Sequence, residues 1–350
     1  MLKSHNIIAT PPGATIKEQL CDRQLSQKEF ARRMDMSEKH ISNLINGKVH
    51  LTPDVAIRLE TVLGIPAKFW NNLEAIYRSN LLKAEIENDM EEDIEFAKKF
   101  PYNEMMKNGW IQSTTKTKEK VQYLRSYFEV VKLSLIFDDN ITRIACRKLS
   151  KTEKSDYALL AWVQQAKKEA KKIETSLINI EKLNSIISDI RSMTTMDPKQ
   201  FCPILKKWLA GCGIALVFLP HIGGSFLHGA TFYDGKKIVI GLTVRGKDAD
   251  KFWFSLFHEL AHVIYGHLNH SGGVSEEDEK EADNFAKNTL IPKEKMDRFI
   301  SAKSFSRKSI INFSNEEKID PGIVVGRLQK ENWIEYSMYN DMKKKYKISN

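Results

Sequence analysis

The stretch that most constrains this chain is FHELAHVIYGH, residues 257–267, in which two histidines four residues apart bracket a glutamate. Positions i and i+4 of an α-helix lie about 40° apart around the axis, so His258 and His262 would share one face. Two neutral imidazoles on one face can bind a single Zn²⁺, and Glu259 can reach water at the metal as a general base. The preceding residues, DADKFWFSLF, are strongly apolar. The pattern therefore predicts a buried helix that carries a catalytic zinc site.

A later segment that is rich in acidic residues, SEEDEKEADNFAKNTLIP at residues 275–292, offers the third metal ligand. One stripe of the predicted helix combines acidic and apolar positions: Glu279, Ala282, Asp283, Ala286 and Leu290. Glu279 is the favoured ligand, and Asp283, one turn later, can accept a hydrogen bond from a ligand histidine. Glu281 lies on the flank of this stripe with Phe285 and remains the alternative ligand.

Further histidines follow the two predicted ligands. If the helix continues, His267 lies about 140° around the axis from His262 and points away from the metal. His267 and His270 are therefore predicted to lie on the surface or behind the ligands. Tyr265 and His228 are the candidates for stabilising an oxyanion.

Near the start of the chain, LSQKEFARRMDMSEKHISNLINGK predicts two short helices joined by a tight turn. Ser26 and Ser37 are each placed to cap a helix, and Gly47 suits a left-handed C-terminal cap. Apolar residues recur at helical spacing on one face of each helix: Phe30, Ala31, Met34, Ile41, Leu44 and Ile45. Such a pair is typical of a helix-turn-helix, whose second helix enters the major groove of DNA.

The outward face of the second helix carries residue types that contact base edges. Lys suits guanine, Asn suits adenine and Glu suits the cytosine amino group, so Glu38, Lys39 and Asn43 are the candidate readers. Gln27, at the start of the first helix, is placed to meet a phosphate. The expected partner is a double-stranded DNA operator.

Pattern changes along the chain indicate three regions and a mainly α fold with a small β-sheet (α+β). Residues 1–78 form the compact helix-turn-helix domain, residues 79–200 a charged helical connector suited to dimerisation, and residues 201–350 the domain with the metal site. Within the last region, GIALVFLP and KKIVIGLTV are β-branched and bounded by Gly or Pro, so they predict strands. The intervening HIGGSFLHGATFYDG predicts a hairpin or loop.

Composition bounds the environment of the chain. The formal charge is +9 and the pI about 9.1, which favours acidic partners. The chain has four cysteines, Cys21, Cys146, Cys202 and Cys212. They form no CxxC pair, which indicates a reducing compartment. The N-terminus lacks the apolar core of a secretory signal, and no apolar run approaches the ~18 residues that span a bilayer. We expect a cytoplasmic protein without a membrane partner.

The N-terminal segment PPGATIKEQLCDRQLSQKEFARRMDMSEKHISNLINGK resembles the Xre-type helix-turn-helix of the HigA antitoxin family. The following LTPDVAIRLETVLGIPAKFWNNLEAIY also resembles that family. The resemblance implies a lambda-repressor-like fold for residues 1–78 and an antitoxin-like transcriptional regulator. We further expect a homodimer on a palindromic operator and a possible small toxin as partner.

The C-terminal segments FWFSLFHELAHVIYGH and EKEADNFAKNTLIP resemble the ImmA/IrrE metallopeptidase family, as does IDPGIVVGRLQKENWIEYSMYNDMKKKY. The resemblance covers roughly residues 210–350 and implies a compact zincin-like domain. It carries the metal ligands over to His258, His262 and Glu279, and the base to Glu259. Several members of that family cleave Xre-type repressors.

Two functions follow from this combination. In the first, the chain is a DNA-binding regulator with a zinc-dependent endopeptidase that cleaves a repressor or antitoxin protein. In the second, it is a HigA-like antitoxin or autorepressor whose zinc domain is structural or sensory. Retention of Glu259 favours the first, because a structural site needs no base.

Overall fold

The computed structural model describes residues 8–137, 153–223, 228–243, 248–270 and 273–347, so Cys146 lies outside the described residues. The described residues cluster into two compact units, within Met1–Glu95 and Phe96–Asn350. Each unit has its own core. The mainly helical fold with a small sheet, predicted from the sequence, is confirmed.

The first unit contains a bundle of short helices that ends in a long one. Its helices are α1 (Pro12–Asp22), α2 (Gln27–Arg33), α3 (Glu38–Ile45), α4 (Pro53–Leu63) and all but the last four residues of α5 (Ala67–Lys99). The apolar positions predicted for the helix-turn-helix are all buried in one core, which Trp70 at the start of α5 also joins. The predicted buried faces of α2 and α3 are therefore confirmed.

The second unit surrounds its sheet with helices. Before the sheet lie α6 (Tyr102–Lys107), α7 (Thr117–Phe128), α8 (Glu153–Lys171), α9 (Ile180–Ser192) and α10 (Pro198–Ala210), with short 3₁₀ turns at Leu133–Phe137 and Met193–Thr195. After the sheet lie α11 (Ala249–Ile264), α12 (Glu276–Leu290), α13 (Lys293–Ser301), α14 (Arg307–Glu317) and α15 (Pro321–Lys330), with 3₁₀ turns at His267–Asn269 and Asn340–Met342.

The sheet has three described strands in the order β1–β3–β2: β1 (Ile214–Leu219), β2 (Gly229–Asp234) and β3 (Lys237–Thr243). Strand β1 runs parallel to β3, and β2 runs antiparallel to it. The strands predicted from GIALVFLP and KKIVIGLTV are confirmed. The region between them contains a further strand, β2, which forms a hairpin with β3 and lies at the edge of the described sheet.

Both faces of the sheet are covered, which explains why β1 and β3 read as continuous apolar runs. Leu216 and Ile240 share the core of α11, the helix predicted to carry the metal site. On the opposite face, the ring of Trp162 in α8 lies so close to Gly241 that a Cβ there would come within 2.5 Å of it. Helix α8 falls in the region assigned to the connector, yet it packs on the sheet. The boundaries at residues 78 and 200 stay a prediction.

The C-terminal segment fastens the start of α11. Backbone N–H of Ala249 donates to the carbonyl of Lys344, and Nε1 of Trp253 donates to the hydroxyl of Tyr346 over 3.0 Å. Three consecutive lysines each pair with a different carboxylate: Lys343 with Asp250, Lys344 with Asp320 and Lys345 with Asp248. The tail therefore holds the N-terminal end of the helix that carries HELAH. Across the described segments, no helix combines the length and apolarity of a membrane span.

Candidate metal centre and nucleic-acid interface

The turn between α2 and α3 is built as the sequence predicts. Oγ of Ser26 accepts from the N–H of Glu29 over 3.2 Å, and Oγ of Ser37 accepts from the N–H of His40 over 3.1 Å. Between the helices, Asp35 adopts a φ of 52°, in the left-handed region that Asp tolerates better than most residues. Both helices therefore start at a hydrogen-bonded cap, and the turn between them is tight.

Side chains predicted to contact DNA lie on the solvent side of these helices. Gln27, Glu38 and Lys39 are exposed, and Asn43 is half-buried. Gln27 is the first residue of α2, and Glu38 and Lys39 open α3. The two side chains that open α3 are therefore exposed, as the insertion of a helix in a groove requires.

In the second unit, α11 and α12 bring together the three residues predicted to bind metal. His258, His262 and Glu279 offer ligand atoms that all lie within 4.8 Å of one another. The two Nε2 atoms are 3.1 Å apart, and each lies 3.6 Å from an oxygen of Glu279. Both histidines are buried, whereas Glu279 is half-buried, so the cluster opens to solvent on the side of α12.

The geometry of this cluster fits a tetrahedral metal ion. Metal–nitrogen and metal–oxygen bonds of about 2.0–2.1 Å place neighbouring tetrahedral ligands about 3.3 Å apart. The separations of 3.1 and 3.6 Å lie on either side of that value. Two imidazoles and one carboxylate are also a donor set that Zn²⁺ uses in catalytic sites, where a fourth position stays open. His258, His262 and Glu279 could therefore hold such an ion.

Asp283, one turn after Glu279, hydrogen-bonds to the far side of His258. Its Oδ1 lies 2.8 Å from Nδ1 of the imidazole, so Nε2 faces Glu279 and His262. Burial opposes charge on this ring, but the hydrogen bond to Asp283 and the nearby carboxylates of Glu259 and Glu279 outweigh it and raise the pKa of His258. The surroundings of His258 therefore favour positive charge.

Glu259 contacts the sheet. Its Oε2 accepts a hydrogen bond from Oγ1 of Thr231 in β2 over 2.5 Å, and both side chains are buried. At the start of the same strand, a Cβ on Gly229 would come within 2.7 Å of Oε1 of Glu259. In strand β2, the hydroxyl of Thr231 therefore binds the carboxylate, and the absence of a side chain at Gly229 leaves room for it. Neither contact was anticipated from the sequence, which left the region of β2 open between a hairpin and a loop.

His267 does not lie on the surface. It is only 2% exposed, and its Nδ1 lies 3.0 Å from Nδ1 of His262. The surface placement was wrong because α11 ends at Ile264 and Gly266 adopts a φ of 74°, which turns the chain back. The alternative prediction, that His267 lies behind the ligands, describes its position. Nε2 of His267 lies 3.1 Å from Oε2 of Glu281, so Glu281 contacts His267 while Glu279 faces the ligand pair.

The two remaining candidates are Tyr265 and His228. Tyr265 is 44% exposed and packs edge-on against Phe285, with ring centroids 5.6 Å apart. His228 precedes β2, and its carbonyl accepts from the N–H of Thr243. An open groove of about 620 Å³ beside α12 is lined by Tyr265, Glu281, Asn284, Phe285, Asn288 and Thr289.

In comparisons with known proteins, one segment of each unit matches a family. Residues 16–70 match the helix-turn-helix family, and residues 224–303 match the IrrE N-terminal-like domain of peptidase family M78. The chain is 41% identical over 63 residues to an uncharacterized HTH-type transcriptional regulator, YddM, of Escherichia coli (strain K12). That match covers 18% of this chain and 67% of the relative.

The fold, the sites and these matches define a regulator in two parts, with a DNA-binding helix-turn-helix domain joined to an IrrE-like peptidase domain. Through its N-terminal domain, the chain belongs to the HTH-type transcriptional regulators.

Proposed function

We propose that this regulator is a zinc-dependent endopeptidase that cleaves a DNA-bound repressor or antitoxin protein in the cytoplasm. The observation that carries the proposal is the joint placement of three ligand side chains and a separate buried glutamate on adjacent elements. A structural metal site requires only the ligands. Glu259 is held against the sheet by Thr231.

In this function, His258, His262 and Glu279 bind the metal, and Asp283 orients the ring of His258 through Nδ1. A bound zinc ion would supply a Lewis acid that polarises a peptide carbonyl and lowers the pKa of water to about 7. The carboxylate of Glu259 accepts a proton from water as the water oxygen attacks the peptide carbonyl carbon. Glu259 then returns the proton to the nitrogen of the leaving amine as the C–N bond breaks. Burial of Glu259 and both histidines keeps bulk water from competing for these groups.

The DNA-binding half supports a regulatory setting for this chemistry. Glu38, Lys39 and Asn43 would contact base edges, and Gln27 a phosphate. The resemblance to HigA antitoxins favours a homodimer on a palindromic operator, with a small toxin as a further partner. A peptidase has no chemical need for a DNA reader, so the fusion suggests that cleavage depends on a protein bound at the same DNA.

The test compares the new protein N-termini that appear in host cells producing wild type, Glu259→Gln or Glu277→Gln at equal levels across a matched set of growth and stress conditions. Glu277 is an exposed acid of α12 and serves as the control. Glu259→Gln should retain zinc and lower the appearance of specific N-termini by about 10²–10⁴-fold, the usual contribution of general base catalysis. Normal regulation by Glu259→Gln combined with failure of His262→Ala would favour a structural or sensory zinc domain instead.

A further inference from the structure

His262 uses its two ring nitrogens on opposite sides. Nε2 faces Nε2 of His258 and the carboxylate of Glu279, whereas Nδ1 faces Nδ1 of His267 at 3.0 Å. His267 is the most deeply buried residue of its short 3₁₀ turn, at 2% exposure. A buried imidazole in contact with a proposed ligand will influence which of the ligand's nitrogens carries hydrogen.

The surroundings of His267 select one arrangement of hydrogens. Its Nε2 faces Oε2 of Glu281 at 3.1 Å and Oδ1 of Asp278 at 3.6 Å. Ionised carboxylates only accept hydrogen bonds, so Nε2 of His267 must carry the hydrogen. In the neutral ring, Nδ1 then has a lone pair and accepts from Nδ1–H of His262. This leaves the lone pair of His262 on Nε2, the atom that faces His258 and Glu279.

The backbone places His267 for this role at one glycine. The N–H of Tyr265 still bonds to the carbonyl of Ala261, but Gly266 follows with a φ of 74°, a conformation that other residues adopt only with strain. Without this turn, a continuing helix would carry residue 267 away from His262. The turn at the end of α11 therefore places His267 next to Nδ1 of His262, on the side away from His258 and Glu279.

Asp278 and Glu281 differ in the other hydrogen bonds that their carboxylates make. Oδ2 of Asp278 accepts from the N–H of Ser275 over 2.8 Å and also contacts Nδ1 of His270 at 3.0 Å. Asp278 thereby completes the capping box of α12. Glu281 lies closer to Nε2 of His267 and is the main acceptor for it.

We propose that His267 is a positioning residue for the metal: it fixes the tautomer and ring orientation of His262, and Glu281 fixes the tautomer of His267. The inference rests on the proposed metal site formed by His258, His262 and Glu279. It assigns Glu281 a role distinct from ligation, two hydrogen bonds away from the metal. Hydrogen-bond partners of ligand histidines typically contribute 10–100-fold in metal affinity.

The test measures zinc affinity of the full chain by competition with a chelating dye. His267→Phe should weaken binding by about 10–100-fold, because His262 loses its acceptor. His267→Asn should recover much of this loss, since the Asn carbonyl can occupy the position of Nδ1. His270→Phe is the matched control: the half-exposed ring of His270 lies 5.8 Å from the ring of His267 and contacts Asp278 rather than a proposed ligand. An aromatic ring at this position should keep the packing on His267, so His270→Phe should bind zinc as wild type does.

A second variant separates positioning from a general loss of structure. Glu281 has a side chain that is 55% exposed, so Glu281→Leu should fold normally and still weaken zinc binding. Glu281→Gln keeps an oxygen acceptor and should weaken it less. Long-range proton–nitrogen NMR of the zinc-loaded protein, labelled with ¹⁵N-histidine, should show hydrogen on Nδ1 of His262, and this signal should be lost or shifted in His267→Phe.

Equal zinc affinity of wild type and folded His267→Phe would overturn the inference, as would hydrogen on Nε2 of His262. A wild-type chain that binds no zinc at all would instead refute the proposed metal site. These outcomes are distinguishable because the first leaves wild-type binding intact. Unfolding curves of each variant show whether a loss of affinity comes from a loss of fold.

Discussion

The hydroxyl of Thr231 and the carboxylate of Glu259 lie 2.5 Å apart in a buried part of the second unit. Thr231 belongs to the edge strand β2, and Glu259 belongs to the helix that carries HELAH. The strand thus contributes directly to the orientation of the one acidic side chain in that motif. Removing the hydroxyl takes a donor away from a buried carboxylate.

Thr231→Val should lower the free energy of unfolding by about 1.5–3 kcal/mol, because hydrogen bonds to buried charged groups have that magnitude. Urea unfolding of the full chain measures the change. Thr243→Val is the control: Thr243 is buried in the same sheet, and among the described residues its Oγ1 has no hydrogen-bond partner. It should unfold at the same denaturant concentration as wild type or a higher one. An equal loss of unfolding free energy in both variants would show that the hydrogen bond to Glu259 does not stabilise the fold.

Metal analysis of the purified chain should find one zinc per chain, lost on His262→Ala. Glu279→Gln should weaken zinc binding more than Glu281→Gln, because Glu279 faces both histidines at 3.6 Å whereas Glu281 faces His267. The reverse order would identify Glu281 as the ligand. Chelation of the metal should also lower the melting temperature, since an ion bound only to the folded chain stabilises it.

Operator binding should depend on the outward face of α3. Lys39→Ala or Asn43→Ala should each cost about 1–3 kcal/mol and relax the preference at one base pair. Lys17→Ala removes the same charge as Lys39→Ala from an exposed position on α1 and is the control. Footprinting and titration against variant operators measure both effects. Protection that survives both α3 substitutions would place the recognition helix elsewhere.

The ion pair between Lys343 and Asp250 should be important for stability. Their side chains are only 7% and 10% exposed, and the nitrogen and oxygen lie 2.9 Å apart. Lys343→Met should lower the free energy of unfolding by about 3–5 kcal/mol, because it leaves a buried carboxylate uncompensated. Asp250→Asn in the same chain should restore much of the loss. A double variant as unstable as the single one would show that the lysine acts through packing and not through charge.

The sequence predicted features that depend on local spacing. His258 and His262 are four residues apart on one buried helix, and the stripe on α12 brings Glu279 to them, as helical periodicity requires. Ser26 and Ser37 cap the helices they were expected to cap. For the histidine pair and the two caps, the deciding geometry lies within one or two helical turns, where residue spacing fixes which side chains are neighbours.

Features that depend on a change of direction could not be predicted in this way. The position of His267 was predicted by assuming that the helix continues. The helix ends before Gly266, and the turn there brings His267 back to His262. Strand β2 begins beside Gly229 in a glycine-rich stretch with weak alternation, so its pairing with β3 was left open between hairpin and loop. Helix α8 has the periodicity of any amphipathic helix, and nothing in that pattern shows that Trp162 packs on Gly241 of a strand that follows in the chain.

Glu281 connects the proposed metal site to the surface of the protein. Its carboxylate lines the open groove beside α12, and the same carboxylate is hydrogen-bonded through His267 to the second of the two ligand histidines. In the proposed function, a small molecule that filled this groove and bound Glu281 would weaken metal binding from a distance, without competing for the coordination position of a substrate carbonyl. The groove is therefore where an allosteric inhibitor of the proposed peptidase would bind.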